Sequence, residues 1–325
     1  MSLPRIAACL LALLTTGAAG AAPTEYVSYA ADFDQFEART RDMPAEARVA
    51  AFRREFDRIR PGLYADSNPQ RLDRRILRSL EEFPALRPAF RSVEQRFGEA
   101  LSEAEAHFRT LFPDFSSPLP IILAHELGVR DGGSDFVAGR KVMLFGADMI
   151  AKLHNDDSLR PFLEHELFHL EHARHFADCE QFWCLLWQEG LATYAASTMT
   201  AGASDHQLLL DQPRPVRGPT DQHWKEALCT VATQFDGTDE AAAGAAFTGA
   251  QNASDLPPRF GYYVGLRVAA EAARQRSLPA LARLDNEHAH AVVADALSAL
   301  LAEAGASCPG PAAIVPVTRS ASRPM

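Results

Sequence analysis

Apolar residues recur at helical spacing through most of the chain. Ala51, Phe52, Phe56 and Ile59 do so in one segment, and Leu72, Ile76, Leu77 and Leu80 in the next. Residues 31–112 are charged, helix-patterned and punctuated by Pro61, Pro69, Pro84 and Pro88, which predicts a bundle of three or four helices. The pattern then shortens. Residues 120–124 and 141–145 are brief apolar runs on either side of Asp131-Gly132-Gly133-Ser134, so two strands of a small sheet are expected around a turn-rich loop. A helix should begin near Ser158, which can cap it, with Pro161 tolerated in the first turn. Leu159, Leu163, Leu167 and Leu170 form one stripe on that helix and predict its core-facing side. Further helices are expected over 187–199, 262–274 and 288–303.

The resulting expectation is an α+β fold that is mostly α. A helical part covers 22–112. Residues 113–308 carry a small sheet with an edge strand, a pair of helices around a metal site and a C-terminal helical part. Residues 309–325, rich in Pro, Ser and Ala, read as a loose tail.

Arg5, the apolar run from Ile6 to Leu14 and the small residues up to Ala22 follow the order of a secretory signal peptide. Cleavage is expected after Ala21, giving a leader over 1–21 and a periplasmic or secreted product. The run is too short to span a bilayer, and no later segment is apolar for long enough. Of the 5 cysteines, Cys9 would leave with the leader. Cys179, Cys184, Cys229 and Cys308 remain, an even number that suits two disulfides in an oxidising compartment. Pairing Cys179 with Cys184 and Cys229 with Cys308 needs the least rearrangement of the chain. Against 42 acidic residues there are 32 Lys and Arg, a net charge of -10 with no basic block, so nucleic acid is excluded as a partner.

The chemistry concentrates in His165-Glu166-Leu167-Phe168-His169. On a helix, two imidazoles four residues apart project from one face and can reach one zinc ion, while Glu166 points about 100° away, where it can hold a water without binding the ion. A zinc site of this kind needs a third protein ligand and an open fourth position. Glu189, in Trp187-Gln188-Glu189-Gly190-Leu191-Ala192-Thr193-Tyr194, follows after enough chain for one helix to end and another to return. His175 would instead complete the metzincin pattern, but that pattern leaves its helix through a glycine and His172 stands there, which favours Glu189.

The H-E-x-x-H and W-x-E-G-x-A-x-Y segments together resemble the gluzincin zinc peptidases, the thermolysin-like and alanyl-aminopeptidase families and their bacterial relatives. The resemblance is strongest from Ser158 to Tyr194. It implies one zinc ion on His165, His169 and Glu189, Glu166 as general base, and a peptide or protein substrate lying along an edge strand, which residues 141–145 would supply. Tyr262-Tyr263-Val264-Gly265 is similar to the aminopeptidase Y-x-x-G segment, which assigns oxyanion stabilisation to Tyr262, with Tyr263 as the alternative. The chain departs from those families in two places. It has no G-x-M-E-N segment to grip a substrate N-terminus, and Thr193 stands where thermolysin-like enzymes carry an Asp. The expected activity is hydrolysis of peptide bonds. The rival expectation is a secreted, non-catalytic binding protein that keeps zinc as a structural element.

Overall fold

The computed structural model describes residues 26–249 and 254–308. The expected leader and tail lie outside the described residues. The fold is α+β and mostly helical. Strand β1 (Tyr26–Ser28) leads into helices α1 (Ala30–Thr40), α2 (Ala45–Ile59) and α3 (Pro69–Phe108). Strands β2 (Ile121–Ala124), β3 (Gly132–Val137) and β4 (Arg140–Gly146) follow, then α4 (Ala147–Leu153), α5 (Asp156–His172) and α6 (Phe182–Met199). The C-terminal part is α7 (Arg217–Gln222), α8 (Trp224–Gln234), α9 (Glu240–Phe247), α10 (Phe260–Ala272), α11 (Leu278–Ala282) and α12 (Asn286–Ala304).

Three helices make the N-terminal bundle, and α3 runs unbroken through Pro84 and Pro88. Those prolines were expected to punctuate the chain. Both are exposed and four residues apart, so the carbonyl of Pro84, which loses its donor to Pro88, can turn to water, whereas the one that loses its donor to Pro84 belongs to the fully buried Leu80. The opposite face buries Ile76, Leu80, Phe83, Phe90 and Phe97. Asn68 caps α3 by accepting from the Arg71 amide, with Pro69 in the first helical position.

The sheet has the order β1-β2-β4-β3. β1 and β2 pair in parallel, as do β2 and β4, and β3 returns antiparallel on β4. The strand expected to be the edge, residues 141–145, is therefore interior, and the edges are β1 and β3. The Asp-Gly-Gly start of β3 resembles a turn because glycine disfavours strands. The reason for glycine at 132 is tertiary and lies in the site. One apolar core runs from Phe33 on α1 through Phe97, Leu163 and Trp187 to Leu300 on α12, so the N-terminal bundle and the later helices share it.

Both expected disulfides are present, Cys179–Cys184 and Cys229–Cys308. Among the described residues no helix is long and apolar enough to cross a membrane.

Candidate metal centre

Helix α5 starts on a capping box rather than on Ser158 alone. The Asn155 side chain accepts from the amides of Asp157 and Ser158, and Ser158 Oγ accepts in return from the Asn155 amide. Leu159, Leu163, Leu167 and Leu170 are all buried, so the expected stripe does face the core. That orientation turns His165 and His169 toward a cleft of about 340 Å³. Their Nε2 atoms lie 3.0 Å apart, and Glu189 Oε2 from α6 stands 3.4 Å from the first and 3.6 Å from the second. A tetrahedral ion with bonds of about 2.0–2.1 Å sets its donor atoms about 3.3 Å apart, so these three atoms have the spacing and the chemistry of a zinc-type donor set. His175 is exposed beyond the end of α5 and does not join them.

The electrostatics follow from two imidazoles facing one carboxylate. Burial pushes the Glu189 carboxyl up, yet the two imidazoles hold it well below the usual range. Burial lowers His165. It would lower His169 as well, but the Glu189 carboxylate holds that ring up to about 9. Thr193 Oγ1 donates to the Glu189 carbonyl at 2.8 Å, so it ties the turn of α6 that carries the carboxylate and leaves the carboxylate itself alone.

Glu166 is buried beside this group and outside it. Its carboxyl lies against Gly132 of the edge strand β3, where an added Cβ would stand 2.7 Å from Glu166 Cδ. Only glycine leaves room for the acid, which explains a strand that begins with one. Burial raises Glu166 to about 8. Asp131, one residue earlier, accepts from His154 Nε2 at 3.0 Å. Burial opposes its ionisation, and the His154 bond overcomes that, leaving its pKa lowered. Sequence reading passed over Asp131 and Gly132, and their only signal was the glycine pair, which looks like a turn.

Tyr262 reaches the site because two helices touch through glycines. A Cβ on Gly190 would lie 2.3 Å from the carbonyl carbon of Gly265, and one on Gly265 would lie 2.6 Å from the Leu186 carbonyl oxygen. Gly190 follows Glu189 directly and Gly265 lies three residues after Tyr262, so this crossing brings the tyrosine to the carboxylate. Burial raises the pKa of the Tyr262 hydroxyl far above the ordinary tyrosine value, and the nearby Glu189 and Glu166 carboxylates add to the rise. Its ring lies 6.4 Å from that of His165. Tyr263, the alternative, points elsewhere and donates to Asp221 at 2.8 Å. His172 is buried between Phe168 and Phe176, and burial drives its pKa down to about 3.

Compared with known protein families, with curated proteins and with solved structures, the chain finds no match.

Proposed function

We propose that this chain is a zinc-dependent peptidase that hydrolyses peptide bonds, acting outside the cytoplasm. The observation that carries the reading is the convergence of His165 Nε2, His169 Nε2 and Glu189 Oε2 at tetrahedral spacing beside a buried carboxyl, on the wall of a cleft. A zinc ion held by these three residues would supply Lewis acidity, polarising a carbonyl and lowering the pKa of a water towards neutrality. Glu166 accepts the proton of the attacking water and returns it to the leaving amine. Its burial raises its affinity for a proton, which favours holding the proton taken from the water until the amine leaves. Tyr262, whose hydroxyl keeps its proton at any physiological pH, donates to the oxyanion as the carbonyl becomes tetrahedral. The free side of β3, next to Glu166, offers backbone groups along which an extended peptide can lie. Two disulfides and the leader-like first 21 residues support an oxidising compartment.

The test is zinc content and cleavage of casein and a mixed peptide library by the wild type and by Glu166→Gln. The expected result is equal zinc in both and activity in the wild type alone. The loss should reach about 10²–10⁴-fold, the usual share of a general base. Bound zinc with no cleavage by either protein would instead support the zinc-containing binding protein.

A further inference from the structure

The cleft contains a cation that the proposed hydrolysis does not use. Arg259 lines it and caps α10 with φ 66 and ψ 16, a left-handed conformation that costs free energy for any residue with a side chain. Its Nη1 donates to the carbonyl oxygens of Leu209 at 3.2 Å and Gln212 at 3.1 Å, and its guanidinium lies 4.4 Å over the Tyr262 ring. These contacts fix the head of the side chain but meet it only with neutral groups. Of the four acids of the cleft, Glu166 lies against Gly132 and the other three are engaged elsewhere. Asp131 pairs with His154, Glu189 with the two imidazoles, and Asp178 with Lys141, the other basic side chain of the lining apart from the histidines. Among the described residues Arg259 has no carboxylate at ion-pair distance. A half-buried guanidinium with unused donors, held rigidly beside a binding cleft, is built to receive a planar anion.

We infer that Arg259 is a specificity-determining residue that binds a carboxylate of the substrate. The inference rests on the peptidase reading and narrows its substrate class. Arg259 stacks on Tyr262, and Tyr262 lies over His165. Since an extended chain advances about 3.3–3.6 Å per residue, the carboxylate sits within about three residues of the bond that is cut. It comes either from an Asp or Glu side chain or from a free C-terminus. Long-range attraction does not explain such a preference, because the net charge of -10 acts against acidic peptides.

The test measures binding and cleavage separately. Fluorescein-labelled neutral peptides carry a single Asp or Asn at each position in turn, and a second pair ends in a free acid or an amide. Binding to the zinc-loaded Glu166→Gln protein is followed by fluorescence polarisation, and cleavage by the wild type is measured in parallel. The expected result is that one Asp register, or the free acid, binds at least about tenfold more tightly than its neutral twin, as charge-assisted bonds to a guanidinium allow. That advantage should fall below about twofold when Arg259→Gln is added, with the neutral twin bound as before, and should survive in part in Arg259→Lys. Equal binding of acidic and neutral twins overturns the inference without any variant, as does an advantage that persists in Arg259→Gln. Cleavage of neutral peptides in that case leaves the peptidase reading intact. A surviving acidic preference with no cleavage of any peptide keeps the anion site and removes the peptidase reading.

Discussion

The contact between Gly190 and Gly265 gives the sharpest prediction, because two opposing effects of one substitution can be weighed. In Gly265→Ala the new Cβ would stand 2.6 Å from the Leu186 carbonyl oxygen and 2.7 Å from Gly190 Cα. Relaxed contacts between such atoms lie near 3.5 Å, so α6 and α10 must part by roughly 1 Å. Alanine in place of glycine inside a helix gains about 1 kcal/mol. Overpacking costs about 1–3 kcal/mol, and the upper part of that range applies because both partners are backbone and no rotamer change relieves them. The net loss is about 1–2 kcal/mol, a fall in Tm of roughly 2–3 °C for a chain of this size. The same displacement moves Tyr262 away from Glu189, and an error of about 1 Å in a catalytic group costs up to about 10²-fold in kcat/KM. Thermal unfolding by circular dichroism and peptide cleavage read the two effects. Gly244→Ala on α9, where a Cβ meets nothing within 4 Å, is the control, and there the sign reverses to a gain of about 0.5–1 kcal/mol. A Gly265→Ala protein that melts at or above the wild type with full activity would refute the account of how the two helices meet.

Other substitutions probe single groups. Tyr262→Phe should lower kcat by about 10²–10³-fold, the loss typical of one oxyanion donor, with zinc content and KM little changed. Gly132→Ala pushes a methyl into the Glu166 carboxyl, whose free end can swing aside, so unfolding should shift little while kcat/KM falls by roughly 10²-fold. Stability against pH should show two buried groups of opposite sign. Burial against Phe33 lowers His125 to about 4, so its contribution is complete above about 6.5 and is lost as pH falls toward 4, up to about 3 kcal/mol. Urea unfolding should therefore show a shallower acid loss for His125→Asn. Burial raises Glu126 to about 7, so its contribution is present below about 4.5 and is lost as pH rises through 7. Glu126→Gln should gain stability at pH 8–9 and none at pH 5.

The parts legible in the sequence were those set by local periodicity. His165, Glu166 and His169 were readable from helical spacing alone, and the Leu159 to Leu170 stripe told which way they face. Glu189 was readable because one turn-and-return of chain is short. The hidden parts depend on contacts between distant segments. Strand β3 looks like a loop because the space for a side chain at residue 132 is taken by Glu166, thirty-four positions later in the numbering. Pro84 and Pro88 look like breaks because their exposure on the outer face of α3 is a tertiary fact. The adjacent tyrosines at 262 and 263 were ranked only by resemblance, because what orients them is the glycine crossing that turns α10 toward α6.

The two sides of the cleft are built differently. All three donor atoms hang from helices whose backs are sunk in the common core, so their arrangement is rigid before any ion arrives, and uptake of a cation should tighten the fold without reshaping it. The facing side, by contrast, includes the stretch through Leu208 and Leu209, which Arg259 pins by a carbonyl and Gln207 fastens to the start of α5. A graft replacing that stretch should retune which peptides are accepted and leave cation affinity where it was.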